Sequence, residues 1–343
     1  MGLLSFFNRE VAMDLGTANS IVIYNDQVVI DEPSIVAVER NNNKIIAVGK
    51  EAQRMDGRTD NKNVETIRPL KGGVIADFEM AQHLIRELIG MTNINRSFLP
   101  PSLRMVICIP SGITNVEERA VRESAEQAGA KEIRMIHEPM AAAIGIGIDV
   151  TEPVGHMIVD IGGGTAEIAV ISLGGIVRNK SVRIAGDEFN ENIIEYMRKI
   201  HSLHIGVRTA EQIKIKVGSA VSELPEELVP EDFEARGRHV STGIPETHLV
   251  SYKEVANALD KSISRIESAI LEALSDTPPE LAADIYDSGI YLAGGGALLR
   301  GLDARIAERT KLKVHVAEDP LRAVARGTGK ALKNLDRFDF LIK

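Results

Sequence analysis

Asp14-Leu15-Gly16-Thr17-Ala18 returns about 146 residues later as Asp160-Ile161-Gly162-Gly163-Gly164-Thr165-Ala166. Each copy follows a short apolar run, Val11-Ala12-Met13 or Met157-Ile158-Val159, and leads into a second one, residues 20–24 or 167–171. A turn signal comes next, Asn25-Asp26 or Leu173-Gly174-Gly175, and then a third strand, residues 28–30 or 176–183. Each half of the chain therefore opens on a strand, a glycine turn, and two further strands.

Both halves then turn to α/β alternation. In the first, residues 104–109 form a continuous apolar strand closed by Pro110-Ser111-Gly112. A helix over residues 115–128 follows, with Thr114 and Glu117 as a capping box and Gly129 as its stop. Residues 133–136 read as a strand and 138–144 as the start of another helix. In the second half, the strand 289–293 meets Gly294-Gly295-Gly296, then a helix over 298–310, a strand over 313–316 and a helix over 321–333. Two less regular stretches, 31–71 and 186–250, read as smaller units inserted into these repeated cores; the second begins with a helical stretch, 188–201.

A glycine-rich hairpin exposes backbone N–H groups that no side chain covers, which makes an anion cradle. A single such hairpin is equally a tight turn. Two with an Asp and a Thr at matched positions point to one nucleotide gripped from both sides. Asp14 and Asp160 then place a carboxylate at each strand end, able to hold Mg²⁺ through water, and Thr17 and Thr165 add hydroxyl donors.

Other nucleotide motifs fail on their own residues. Around Gly327-Thr328-Gly329-Lys330 the P-loop pattern has Val324 where its first Gly belongs and Ala331 where its Mg²⁺-binding hydroxyl belongs. Gly294-Gly295-Gly296 and Gly145-Ile146-Gly147 lack the third Gly of the dinucleotide fingerprint. Glu138, after a strand and before Pro139, either balances a helix dipole or orients a water. Gly294-Gly295-Gly296-Ala297 lets a flat ring approach the backbone. Thr209 and Gln212 read as a second capping box, and Glu211 and Lys214 share one helix face.

Taken together, Asp14-Leu15-Gly16-Thr17-Ala18-Asn19, residues 68–78, Ile109-Pro110-Ser111-Gly112, residues 138–145, 160–165 and 293–301 carry a resemblance over essentially the whole chain. The sequence resembles the actin, heat-shock-chaperone ATPase and sugar-kinase superfamily, and within it the MreB family of bacterial actin homologues. The resemblance implies an α/β actin-like ATPase fold: two RNase H-like cores, each with a smaller inserted subdomain, around a nucleotide cleft. The subdomains would be IA (1–30, 72–147, 319–343), IB (31–71), IIA (148–179, 258–318) and IIB (180–257).

It also implies ATP and Mg²⁺ as cofactors. Gly16, Thr17, Ala18, Asn19, Gly162, Gly163, Gly164 and Thr165 would contact phosphates, and Glu211, Gln212, Ile213 and Lys214 the ribose. Gly294, Gly295, Gly296, Ala297 and Leu298 would contact adenosine, Asp14 and Asp160 would serve the metal, and Glu138 with Thr165 would position the attacking water. His137 stands where an acidic residue is more usual and Ala166 where Thr is. The implied partners are further copies of the chain in a filament, the inner face of the cytoplasmic membrane, and a cell-elongation machinery such as RodZ, MreC and MreD. The implied task is scaffolding cell-wall synthesis in a rod-shaped cell, with slow ATP hydrolysis timing filament turnover. A sugar or acetate kinase of the same fold is the alternative, although no second carboxylate motif argues for a substrate base. A chaperone ATPase would need a peptide-binding domain, for which the chain leaves no room after its last core helix.

Composition narrows the partners. The 343 residues carry a formal net charge of −9, which does not suit a sequence-independent nucleic-acid binder. The single cysteine, Cys108, rules out an internal disulfide framework or a cysteine-based zinc site and fits a reducing cytosol. No apolar stretch approaches the ~20 residues of a spanning helix. Aromatics are only 4%, yet Phe6 and Phe7 are adjacent at an apolar tip with Leu3 and Leu4. Inserting those four side chains into a bilayer would supply ~1.5–3 kcal/mol each, weak for one copy and strong for many acting together; a core-packed terminus is the alternative. Phe98 and Leu99 mark a second candidate membrane loop, whose alternative is a buried connection.

Overall fold

The repeat builds two sheets on one plan. The computed structural model describes residues 8–58, 63–92 and 102–342. The first meander is β1 (Asn8–Leu15), β2 (Asn19–Tyr24) and β3 (Gln27–Pro33). An insertion follows with β4 (Val36–Glu39), β5 (Lys44–Val48), α1 (Lys50–Met55), β6 (Val64–Ile67) and the short hairpin β7 (Leu70–Lys71) and β8 (Val74–Ile75). Then come α2 (Phe78–Met91), β9 (Ser102–Ile109), α3 (Asn115–Gln127), β10 (Ala130–His137) and α4 (Glu138–Ile146).

The second meander is β11 (His156–Ile161), β12 (Ala166–Ser172) and β13 (Gly175–Val182). Its insertion holds α5 (Gly186–Ile200), β14 (Leu203–His204), α6 (Val207–Val217), β15 (Phe233–His239) and β16 (Pro245–Val250). The chain continues through α7 (Tyr252–Ser275), α8 (Pro279–Ser288), β17 (Ile290–Ala293), α9 (Leu302–Thr310), β18 (Val314–Val316) and α10 (Ala323–Lys333).

The strand orders are β10-β9-β1-β2-β3 and β13-β12-β11-β17-β18. In both sheets an antiparallel meander is extended by two parallel strands. Parallel neighbours need long crossovers, and the helices and insertions supply them. β1 and β11 are central, and at their carboxyl ends Asp14 lies beside Cys108 and Asp160 beside Ala293. In open α/β sheets, ligands gather where the connections part to either side, outside the carboxyl ends of such strands.

Helices α4 and α10 join the halves. Their shared core takes Ala12, Val106 and Ile136 from the first sheet and Ile158, Ala169 and Ala293 from the second. Residues 139–145 of α4 are buried without interruption, the mark of a helix enclosed on all sides. Small residues let the two helices cross closely: a methyl on Gly145 would overlap the Ala323 carbonyl, and one on Gly327 the Ala141 carbonyl.

The Thr114–Glu117 capping box is present. Two local expectations are corrected. The glycine run does not open the helix of 298–310. It leads into one 3-10 turn, Gly295–Leu298, and α9 begins only at Leu302, because Gly301 takes a left-handed conformation (φ 72°). Thr209 is not a cap either; α6 starts two residues earlier with Gly206 as its N-cap and no side-chain capping bond. Leu3, Leu4, Phe6, Phe7, Phe98 and Leu99 lie outside the described residues. Among the described residues, no helix is long and apolar enough to cross a membrane.

Candidate functional site

The two glycine hairpins meet. A β-carbon on Gly163 would come within 2.6 Å of the Ala18 methyl, and one on Gly164 within 2.7 Å of Thr17 Oγ1. Only glycine allows that approach. The turn between β7 and β8 closes over the same place. Gly73 donates its N–H to Thr17 Oγ1 at 3.1 Å, and a β-carbon on Gly73 would come within 2.8 Å of Thr165 Cγ2. Thr17 and Thr165 are both buried, while Asn19 is exposed at the start of β2. Behind the second hairpin, the first residues of α5 fix its shape: Gly186 and Asp187 donate their N–H groups to the carbonyls of Gly162 (3.1 Å) and Gly163 (2.8 Å).

Beneath the hairpins lie the carboxylates. Burial pushes Asp14 up to about 7. Burial, then the charges of Asp14 and Glu167, push Asp160 up to about 7 as well. Glu138, first residue of α4, is raised well above the usual carboxylate range by burial and then by Asp160, Glu167 and Asp14. Asp160 Oδ1 is buried with no hydrogen-bond partner. It sits against Gly294, whose φ of 76° and lack of a side chain leave that oxygen room. Crowded carboxylates and an unpartnered buried oxygen fit a divalent cation, as a hard oxygen donor set does for Mg²⁺. Cys108 lies beside them; burial and then these same carboxylates push its thiol up, so it is no nucleophile.

The cluster sets a pH dependence. A folded chain whose aspartates titrate near 7 binds more protons than the unfolded chain between about pH 4 and 7. The stability this adds is full below about pH 4 and lost as the pH rises through about 7. Asp14→Asn removes one such group. Its melting temperature is therefore expected to gain on the wild type as the pH rises from about 5.5 to 8, measured on the nucleotide-free chain. A gap that stays constant or shrinks contradicts the assignment.

Glu167 was not singled out by the sequence reading. It lies opposite Asp160 in the β11–β12 register and is fully buried. The Ser181 hydroxyl donates to its Oε1 at 2.5 Å, and the Ser111 hydroxyl and N–H donate to Oε2. Ser111 follows β9 in the first half, so this carboxylate ties the two halves together at the cleft floor.

On the far side, Lys214 Nζ donates to Glu211 Oε2 (2.8 Å) and to the Gly186 carbonyl (2.9 Å). Asn190, also missed, donates to the same Glu211 oxygen at 2.7 Å. Glu211 and Lys214 are thus joined to the second hairpin through α5. Gln212 is exposed on the helix surface. Ile213 is corrected: its side chain is fully buried in the core of the second half, because a helix turns ~100° per residue and carries it off the cleft face. Gly294 lies against Asp160 and Ile161, Gly296 against Ile161 and Gly295 against Leu321, with Ala297 buried and Leu298 exposed.

The arrangement offers paired anion cradles, a cation-hungry carboxylate floor and a polar rim in one cleft. The chain as a whole is similar to known proteins. The family model described as MreB/Mbl protein matches residues 8–339. The cell shape-determining protein MreB of Escherichia coli (strain K12) is 48% identical over 335 residues, covering 96% of this chain and 95% of that one. The crystal structure of MreB5 of Spiroplasma citri bound to AMPPNP superposes with a TM-score of 0.88 at 35% identity, covering 96% of this chain and 97% of that one. The MamK double helical filament has the same fold, with a TM-score of 0.79 at 22% identity and coverage of 95% and 99%. With its two repeated sheets, paired hairpins and full-length match, the chain belongs to the MreB/Mbl family of actin-like proteins.

Proposed function

We propose that the chain is an ATP-binding, membrane-associated filament protein that scaffolds cell-wall synthesis and maintains rod shape, its slow ATP hydrolysis controlling filament turnover. The observation that carries this reading is the meeting of Gly163 and Gly164 with Ala18 and Thr17 above a floor of Asp14, Asp160 and Glu138. The AMPPNP bound by the Spiroplasma citri relative and the filament formed by MamK support nucleotide binding and self-assembly. The name of the Escherichia coli relative supports the role in cell shape.

In this reading the hairpin N–H groups and the Thr17 and Thr165 hydroxyls cradle the phosphates. Glu211 and Lys214 face the ribose, and the segment from Gly294 to Leu298 faces adenosine. Asp14 and Asp160 hold Mg²⁺ through water; the ion supplies charge neutralisation for the phosphates. Glu138, aided by Thr165, orients the attacking water and accepts its proton. The four subdomains implied by the resemblance close on the nucleotide and expose the assembly surfaces. Residues 1–7, with the loop around Phe98 and Leu99, anchor the filament at the inner face of the cytoplasmic membrane, where the elongation machinery (RodZ, MreC and MreD) would meet it. With no polybasic tract in a chain of net charge −9, apolar insertion supplies most of that affinity.

Co-sedimentation with anionic liposomes tests the reading. The full chain is expected to pellet with vesicles more strongly with ATP than without. Deleting residues 1–7 is expected to release it while leaving assembly in solution intact. Unchanged liposome binding after the deletion contradicts the anchor assignment.

A further inference from the structure

Four of the eight histidines fall between positions 201 and 248, in the second insertion. His201 caps the carboxyl end of α5, His248 lies on β16, and Glu254 is in the first turn of α7. One ligand atom from each lies within 4.8 Å of the other two. His201 Nε2 is 2.6 Å from Glu254 Oε1, and the His201 and His248 rings stack with centroids 3.6 Å apart. We propose that His201, His248 and Glu254 form a binding site for one zinc-class divalent ion.

Two imidazole nitrogens and a carboxylate oxygen are a donor set suited to zinc, with a fourth position left for water. The ligands are also oriented from behind. Glu254 Oε2 accepts the Ser251 N–H and hydroxyl, each at 2.9 Å, which leaves Oε1 directed at His201. The Tyr196 ring meets His201 edge-on at 5.9 Å. Partners of this kind fix ligand orientation at metal sites. Among the described residues Glu254 is paired by His201 and by no lysine or arginine, so loss of the shared proton leaves its negative charge for an ion. The His201 and Glu254 side chains are 13% and 25% exposed, shielded yet reachable. Binding displaces the proton held between His201 Nε2 and Glu254 Oε1. It would pin β16 to the ends of α5 and α7, and the opposite end of α5 holds the second glycine hairpin.

The test is calorimetric titration of the untagged, nucleotide-free chain with ZnCl₂, alongside its melting temperature and the visible absorption of Co²⁺ as a substitute. The expected result is one high-affinity Zn²⁺ per chain, a raised melting temperature and a tetrahedral Co²⁺ spectrum. His248→Phe keeps an aromatic ring in the stack and removes the nitrogen; it is expected to weaken Zn²⁺ binding by more than the ~10- to 100-fold that loss of an outer partner costs. Glu254→Gln, which keeps an acceptor for Ser251, gives the same answer should the first variant fail to fold. A wild type that binds no Zn²⁺, or folded variants that bind it as tightly, would overturn the proposal, the second by placing the ion elsewhere.

Discussion

Glu138→Ala is expected to slow ATP hydrolysis by about 10²- to 10⁴-fold while leaving nucleotide affinity within a few-fold of the wild type. The side chain opens α4 at the end of β10, and Pro139 sets the backbone there. Its carboxyl is raised by burial and by three neighbouring carboxylates rather than by a hydrogen bond that would fix it for structure. Such a group can take a proton from water once cation and nucleotide compensate the surrounding charge. Removing it deletes one repulsive charge and no phosphate donor, so binding is spared. Filaments of the variant should form with ATP and disassemble more slowly. Single-turnover hydrolysis beside equilibrium nucleotide binding separates the two effects; equal losses in both would contradict the water-orienting role.

The second large effect has opposite signs in two measurements. Asp160→Asn replaces a buried carboxylate whose Oδ1 has no partner and whose proton is held up to about 7. Near pH 8 the nucleotide-free variant is expected to be more stable than the wild type, because the amide carries no charge to bury beside Asp14 and Glu167. Its affinity for Mg²⁺ with ATP is expected to fall by about 10- to 100-fold, since a charge-assisted interaction is worth ~1.5–3 kcal/mol. Denaturant unfolding without nucleotide and fluorescent-ATP titration with Mg²⁺ read the two arms. Lower stability together with unchanged affinity would make Asp160 a structural residue. Greater stability at the expense of binding is how a functional site differs from a core.

How much of this was legible in the sequence depends on the range of the interaction. The paired meanders were readable because their apolar runs and turns recur with one spacing, and the sheets follow that pattern strand for strand. Asp14 and Asp160 were readable because each lies near the end of an apolar strand, and Glu138 because it directly follows one. Glu167 was not: in a strand, a lone Glu between apolar neighbours looks like the outward member of an alternation, and the residues that enclose it, Ser181 and Ser111, stand 14 and 56 positions away. The closing turn at Gly73 is likewise 56 residues from Thr17. Ile213 was misplaced because a matched segment does not say which helix face meets the ligand. The helix after Gly296 was misplaced because the left-handed residue that delays it, Gly301, looks like any other glycine in the sequence. His201 and His248 are brought together only by the packing of β16 across the end of α5, which no local pattern encodes.

The proposed function couples ATP hydrolysis in this cleft to filament assembly. The most direct measurement is the ATP hydrolysis rate as a function of chain concentration, recorded together with light scattering and no other substrate present. A polymerising ATPase predicts negligible turnover below a threshold concentration and a rate that rises with scattering above it. A rate strictly proportional to concentration with no scattering, or turnover that appears only when a small phosphoryl acceptor is added, would contradict it.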